Sequence, residues 1–501
     1  MAEPSEHAKQ TRAGLRYWMQ RVPREVHLAA RHPGADTIHD LRVALRRCRS
    51  MAAGLAEVDP APSWNEMRKA SRKLFRRLGD LRDLQVLQDW VNRLSDENDP
   101  VRQALGEVFS AREPELKAHV SKAFGAFDRA QWTLWSRTLP DRARRLVPDG
   151  LVAQHLALQR WEEARALHRR ALRNRNPTSW HALRIGIKRF RYTAENFLPG
   201  KYVSWAEDLK HIQDLLGDVH DLDVLSNSLR EAGPALDDAA EVRWRAAIDH
   251  ERTPRLDDYR ARMAGRSSLW SIWRAGLLRE DRLEDAALAK LTLWAAALDP
   301  ETSHSRQVAR LVLELFDGLA AAGFNGTLGT PRARVLLHAA ALLHNVGRSE
   351  TAKGHHKASY RLIAALDPPL GWTRDEVERV AVVARYHCGA EPREKHTAYA
   401  GLQPEARSFI RTLAGVLRIA DALDDAHDGA VRRLEVRSHP EYVLIRALGW
   451  PESEQNAAIM GGRKHLLESA LARPIIVRAA AAREATVLTR PAPRAVSIVA
   501  D

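Results

Sequence analysis

His39-Asp-Leu-Arg42-Val-Ala-Leu-Arg46-Arg47-Cys48-Arg49 and, further along, His181-Ala-Leu-Arg184-Ile-Gly-Ile-Lys188-Arg189-Phe190-Arg191 are one pattern written twice. In each copy four basic residues stand at i, i+3, i+7 and i+10: His39, Arg42, Arg46 and Arg49, then His181, Arg184, Lys188 and Arg191. On a helix those spacings put all four side chains on one face. An apolar stripe runs beside each, Leu41, Leu45, Cys48, Ala52 and Leu55 in the first copy and Leu183, Ile187, Phe190, Ala194 and Phe197 in the second. The pattern predicts two helices that bury one side and hold cations on another. Like charges three and four apart destabilise a bare helix by a few tenths of a kcal/mol per pair, so no local gain explains them. An anionic ligand would.

The chain of 501 residues suggests about three domains, and a hydrophobic content of 45% supplies cores for them. Lys plus Arg number 78 against 64 Asp plus Glu, a formal charge of +14, and arginine dominates the excess. A planar guanidinium fork suits phosphate oxygens. Cys48 and Cys388 are the two cysteines, which excludes a disulfide framework. Met1 to Thr11 is polar and acidic, and no apolar run approaches the roughly 20 residues of a membrane span. A cytoplasmic protein without a membrane partner is expected.

From Arg12 to about Arg279 the periodicity is helical, with breaks expected at Pro60, Pro100, Pro148, Pro177, Pro199, Pro234 and Pro254. The duplication continues: Gly79-Asp80-Leu81-Arg82-Asp83-Leu84-Gln85-Val86-Leu87 matches Gly217-Asp218-Val219-His220-Asp221-Leu222-Asp223-Val224-Leu225. Arg72, Lys73, Arg76 and Arg77 precede the first of these motifs, while the second follows Lys210 and His211 and has Asp214 where the first has Arg76. The expected architecture is mainly α, with duplicated antiparallel bundles over 1–280 (repeats at about 10–145 and 150–280). An all-α domain is expected over 281–430, carrying helices at His304 to Leu319 and Val335 to Val346. Strand-like segments at Val431 to Val436, Tyr442 to Ile445 and Pro474 to Val477, around a helix near Lys464 to Leu471, predict a small α/β tail over 431–501. Asp80, Asp83, Asp218 and Asp221 are expected to cap and brace helices against nearby arginines.

The paired motifs, in order and twice, resemble the two halves of a CHAD domain. That resemblance implies two pseudo-symmetric helical bundles whose basic faces line a groove, and inorganic polyphosphate as partner. The contacts it implies are His39, Arg42, Arg46, Arg47, Arg49, Arg72, Lys73, Arg76 and Arg82 in the first half. In the second they are His181, Arg184, Lys188, Arg189, Arg191, Tyr192, Lys210 and His220. Facing rows of cations neutralise a phosphate chain along its length and release its counterions, which makes affinity fall with salt. His39 and His181 are expected to gain charge beside a polyanion. Nucleic acid is the rival phosphate polymer, disfavoured because no recognition helix and no aromatics interleaved with the stripe are evident.

The region from 281 carries His304, His344-Asn345-Val346-Gly347, His355-His356-Lys357, Arg385-Tyr386-His387 and Ala420-Asp421-Ala422-Leu423. Imidazoles and a carboxylate dispersed over a helical domain suit a divalent metal site. The region resembles an HD-type phosphohydrolase domain, and more narrowly the helical C-terminal region of the exopolyphosphatase and guanosine pentaphosphate phosphatase family. Leu342-Leu343-His344, Val346-Gly347-Arg348-Ser349, His355-His356-Lys357-Ala-Ser-Tyr360 and Leu417-Arg418-Ile-Ala-Asp421-Ala-Leu-Asp424 carry that likeness. The ligand set it implies is His304, His344, Asn345, His355, His356, His387 and Asp421, around Mn²⁺ or Mg²⁺. Asn345 departs from the family's Asp, replacing an anionic ligand by a neutral carbonyl oxygen. CHAD-like helices also stand where that family carries its actin-like catalytic half. Two outcomes stay open: metal-dependent hydrolysis of a phosphoanhydride, or a degenerate domain retained for binding or homodimer contacts. No Walker loop, dinucleotide fingerprint or triphosphate-tunnel pattern is present, so no nucleotide cofactor is expected. Association with polyphosphate granules would follow from the first domain.

Overall fold

The computed structural model describes residues 14–32, 34–232, 238–451 and 453–480. The Met1 to Thr11 segment, Pro234 and the tail beyond 480 lie outside them. The chain forms two compact units, Met1–Leu293 and Trp294–Asp501. The division thus falls beyond position 280, and the strands after 431 belong to the second unit.

In the first unit the helices are α1 (Leu15–Arg31), α2 (Ala35–Leu55), α3 (Pro62–Leu94), α4 (Pro100–Gly125), α5 (Arg129–Ala143), α6 (Leu151–Asn174), α7 (Pro177–Phe197), α8 (Pro199–Ala232), α9 (Asp238–Met263), α10 (Leu269–Gly276) and most of α11 (Leu283–Ala295), whose last two residues belong to the second unit. The two stripes lie on α2 and α7. Their apolar companions are buried throughout: Leu41, Leu45, Cys48, Ala52, Leu183, Ile187, Phe190 and Ala194 are each 0% exposed. Helix α2 packs on α3, α7 packs on α8, and the repeats meet where α2 touches α7 and α3 touches α8. Gly54 makes the first crossing close, because a Cβ there would run into the Phe197 ring. Leu84 and Leu87 share one core cluster with Leu222 and Leu225, flanked by Phe109 and Trp244. Each such side chain contributes about 1.5–3 kcal/mol on burial.

Local signals set the helix starts. Asn176 Oδ1 accepts the Ser179 N–H at 2.9 Å ahead of Pro177, and Asp99 Oδ1 accepts the Val101 N–H at 2.8 Å ahead of Pro100. Two sequence expectations are corrected. Pro254 lies inside α9 rather than breaking it, although an interior proline costs about 3 kcal/mol. Buried Trp244 and Ile248 before it and Leu256 and Tyr259 after it hold the helix together. The Gly-Asp motifs also lie within continuous α3 and α8, so their aspartates brace without capping; Asp218 accepts from Arg255 at 2.8 Å and Asp80 pairs with Arg77 at 3.2 Å.

The second unit holds α12 (Thr302–Ala321), α13 (Pro331–Leu343), a tight turn at Val346–Ser349, α14 (His355–Ala364), α15 (Arg374–Arg385), α16 (Thr397–Ala400) and α17 (Pro404–Leu423). Then come β1 (Arg433–Ser438), β2 (Val443–Leu448), α18 (Glu454–Leu471) and β3 (Ile475–Ala480). Strand β2 pairs antiparallel with β1 and parallel with β3, which requires the α18 crossover. Helix α17 is buried on most sides, as a central helix must be. The protein is mainly α with a small three-stranded sheet, as its periodicity implies. No helix among the described residues is long and apolar enough to cross a membrane.

Candidate functional site

The two stripes and α3 open onto one cleft of ≈ 890 Å³. Arg42, Arg46 and Arg49 enter it from α2, Arg72 and Arg76 from α3, and Arg184, Lys188, Arg189 and Tyr192 from α7. Arg68 and Arg160 line it too; neither belongs to the duplicated pattern, although Arg68 lies one turn before Arg72 on the same face. Phe75 lines the cleft beside Tyr192, which is among the contacts the CHAD resemblance implies. The guanidiniums of Arg42 and Arg49 lie 5.4 and 5.3 Å from the Phe75 centroid, and that of Arg46 lies 5.5 Å from Tyr192. Cation–π contact holds these groups in place and occupies the ring faces that a base would stack on.

The cleft holds its charges against solvation. Arg42 Nη1, Arg46 Nε and Arg184 Nε are buried donors without a hydrogen-bond partner. Burial, with Arg184 and Arg46 alongside, lowers the Lys188 ammonium to about 8, and burial with neighbouring Arg68 and Arg72 brings Arg49 to about 10. Burial also raises Asp221, to about 6, helped by Asp83 and opposed by Arg184.

The remaining residues of the stripe motifs sit elsewhere. Arg47 is 7% exposed and its Nη2 pairs with Glu195 Oε1 at 2.6 Å, joining α2 to α7. Arg191 donates to Tyr202 and Gln213 at 3.3 and 3.1 Å. His181 Nδ1 lies 3.1 Å from His220 Nδ1, and burial beside Arg184 lowers both imidazoles, His220 to about 4. Both are therefore neutral near pH 7 in the free protein. His39, Lys73 and Lys210 are exposed away from the cleft lining, and Arg82 reaches Gln85 at 3.3 Å. Elsewhere in the second repeat, His211 Nε2 lies 2.7 Å from Asp258 and Arg252 pairs with Asp223 at 2.8 Å.

In the second unit α12, the end of α13 and α17 bring His304, His344 and Asp421 together. Asp421 Oδ1 is 3.4 Å from His304 Nε2 and 3.5 Å from His344 Nε2. His344 Nδ1 donates to the Ala341 carbonyl and His387 Nδ1 to that of Ala384, each at 2.7 Å. A carbonyl oxygen can only accept, so each ring carries a proton on Nδ1, which leaves Nε2 as the atom directed toward the Asp421 side of the group. His304 Nδ1 meets Asp424 Oδ2 at 2.7 Å, the carboxylate–imidazole pairing that orients metal ligands. Burial opposes the charge on His304, but hydrogen bonds to Asp421 and Asp424 outweigh it and push its pKa up to about 9. Asp424 stands just past the end of α17, three residues after Asp421, and was already part of the Leu417 to Asp424 motif. Asn345 is 1% exposed, and neither polar atom of its side chain has a hydrogen-bond partner. This donor set fits a divalent ion.

His355 and His387 form a second group, with Cys388 beside them and His356 outside it. The turn that carries His387 is clamped from α17, where buried Arg418 donates to the Tyr386 and Gly389 carbonyls at 3.1 and 2.8 Å. Arg463 of α18 donates to the His387 carbonyl at 3.2 Å and lies 3.7 Å from Asp421 Oδ2.

Fold and sites define a helical protein with a cationic cleft in one unit and a carboxylate–imidazole centre in the other. Residues 15–230 match the CHAD domain family, and residues 291–445 match the Ppx/GppA phosphatase, domain III, family. The chain thus carries the match to a CHAD domain ahead of the match to a Ppx/GppA phosphatase, domain III. The crystal structure of the CHAD domain from the plant Ricinus communis is similar over 53% of this chain and 90% of that one, at 26% identity and a TM-score of 0.34. No protein of curated function matches the chain.

Proposed function

We propose that the first unit binds inorganic polyphosphate in the cleft between α2, α3 and α7. The observation that carries this reading is the set of buried guanidinium donors without protein partners, aligned on two helices and held by aromatic rings. A phosphate chain supplies closely spaced oxygens to them and offsets the burial and the neighbouring cations that lower Lys188. A cytoplasmic location among polyphosphate granules accompanies the proposal. The test is retention on immobilised polyphosphate, competed with DNA. The variant with Arg42, Arg46, Arg184 and Lys188 changed to Ala should lose retention while keeping its helical circular dichroism. Equal retention at the same ionic strength would refute the proposal, and displacement by DNA at equal phosphate concentration would favour the nucleic-acid reading.

A second reading, phosphoanhydride hydrolysis by the second unit, is favoured by the fixed imidazole tautomers around Asp421. His304, His344 and Asp421 would hold a divalent ion, with Asn345 beside His344. Such an ion would polarise a phosphoanhydride oxygen. Asp424 holds the His304 proton at Nδ1, and Arg463 adds a fixed positive charge beside Asp421 for a phosphoryl oxygen. Phosphate release from polyphosphate with added Mn²⁺ or Mg²⁺, abolished by chelator and by His344→Ala, is the expected result. Its absence, with metal bound, leaves the unit a binding or dimerisation module.

A further inference from the structure

One wall of the cleft changes sign along its length. Helix α3 presents Arg68, Arg72, Arg76, Asp80 and Asp83 to it, residues three or four apart on one face that spans about 22 Å at 1.5 Å per residue. At one end Arg49 of α2 joins Arg68 and Arg72, and the charge is all positive. The other end sets carboxylates among the cations. Asp80 pairs with Arg77 at 3.2 Å, whereas Asp83 is exposed on the wall. Its carboxylate faces the charges of Arg42 from α2, Arg184 and Lys188 from α7 and Asp80 on its own helix, with Asp221 of α8 in range. Gly79, one turn before Asp83, lets Arg42 lie against the α3 backbone, since a Cβ there would stand 3.0 Å from Arg42 Nη1. Even so, Arg42 Nη1 and Arg184 Nε have no hydrogen-bond partner. Asp83 stands beside these donors without satisfying them.

A ligand group at this end has to accept from the guanidiniums and donate to the carboxylate, because an ionised carboxylate can only accept. A fully ionised phosphate unit meets repulsion at Asp83. A unit that keeps a P–OH does not: its ionised oxygens take the arginine donors and its hydroxyl donates to Asp83. Internal units of a phosphate chain have one strongly acidic hydroxyl each, ionised at neutral pH. The terminal units alone carry a second hydroxyl, with a pKa of about 6 as in other phosphomonoesters. We propose, building on polyphosphate capture in this cleft, that Asp83 recognises the end of the chain, accepting the terminal P–OH while Arg42 and Arg184 hold the ionised oxygens of the same unit. The remainder of the chain then runs toward Arg49, Arg68 and Arg72, so the cleft is oriented. Phosphates without a free end lack the donor and are disfavoured beside Asp83.

Three small ligands of matched charge read the end directly. Calorimetry of the full chain at about pH 5.5, with chelator present, compares linear triphosphate, the same triphosphate methylated on both terminal units, and cyclic trimetaphosphate. Each carries about three negative charges there, since the terminal pKa of about 6 lies above that pH, and the linear acid alone has an end P–OH. Triphosphate should bind at least about tenfold tighter than the other two, the scale of one charge-assisted hydrogen bond. Asp83→Ala, at an exposed helix position, should abolish that preference. A carboxylate that only braced Arg42 and Arg184 would shift all three ligands alike and leave the preference in place. Should Asp83→Ala misfold, Asp83→Asn replaces it and should reduce the preference, because a neutral amide oxygen is the weaker acceptor. Lack of preference in the parent, a preference that survives in folded Asp83→Ala, or competition by orthophosphate as strong as that by triphosphate would overturn chain-end recognition. Retention of long polyphosphate would then leave capture in the cleft standing, and its loss would remove both.

Discussion

Lys188 and Arg47 share a helix-borne basic pattern and differ in what surrounds them. Lys188 carries its proton below about 8, so it is charged at pH 7 and loses charge as pH rises. A polyanion favours the charged form, so polyphosphate affinity should weaken between pH 7 and pH 9 at constant ionic strength. Lys188→Arg should flatten that limb of a pH titration of Kd. Below it, protonation of Asp221 near pH 6 removes an opposing charge, so affinity should rise further toward pH 5. Arg47 belongs to stability instead. Its partner Glu195 is buried, and breaking such a pair costs about 3–5 kcal/mol by stranding a charge. Arg47→Ala should therefore lower the denaturation midpoint of the first unit, measured by urea titration, with little change in Kd where the protein is folded. Asn345→Asp should tighten divalent-metal binding in calorimetry, since it adds an anionic oxygen beside His344.

At the scale of elements, the turn Val346–Ser349 decides where His344 sits relative to α14. Gly347 N–H donates to Ser359 Oγ at 2.9 Å, and the Ser359 hydroxyl donates to the His344 carbonyl at 2.6 Å. A Cβ on Gly347 would collide with the His355 carbonyl oxygen and the Ser359 nitrogen, which are backbone atoms with no freedom to yield. Gly347→Ala should cost about 1–3 kcal/mol, read as a lower melting temperature of the second unit, and should weaken metal binding by separating His344 from His355. Fluorescence melting that leaves the second unit unchanged would show that α14 can move aside.

For the whole molecule, the proposed polyphosphate binding would be electrostatic and confined to the unit that holds the cleft. The logarithm of affinity should fall linearly with the logarithm of salt, with a slope of about −0.7 per phosphate neutralised if polyphosphate behaves as a single-stranded polyanion. Ligand that binds only the folded form at about 100 times its Kd adds about 2.7 kcal/mol of stability. Calorimetry with saturating polyphosphate should raise the transition of the first unit and leave that of the second in place. A metal such as Zn²⁺ should do the reverse.

Periodicity and duplication determined most of what is local. The stripe helices, their buried apolar faces, the second helical region and the C-terminal strands are readable because helix and strand place side chains at fixed periods. The resemblance built on Arg42, Arg46, Arg184 and Lys188 pointed to a basic groove, and the resemblance to an HD-type domain pointed to His304, His344 and Asp421. Periodicity cannot say which of several cations on one face meets another helix. Tertiary packing turned Arg47 toward Glu195 and Arg191 toward Tyr202, set His181 against His220, and drew Arg68, Arg160 and Phe75 to the cleft. Cys388 was read only as one of two thiols, and its company with His355 depends on α14 and the turn after α15 meeting. Such contacts join residues far apart in the chain, and their energies come from burial and pairing that no local pattern of residues encodes.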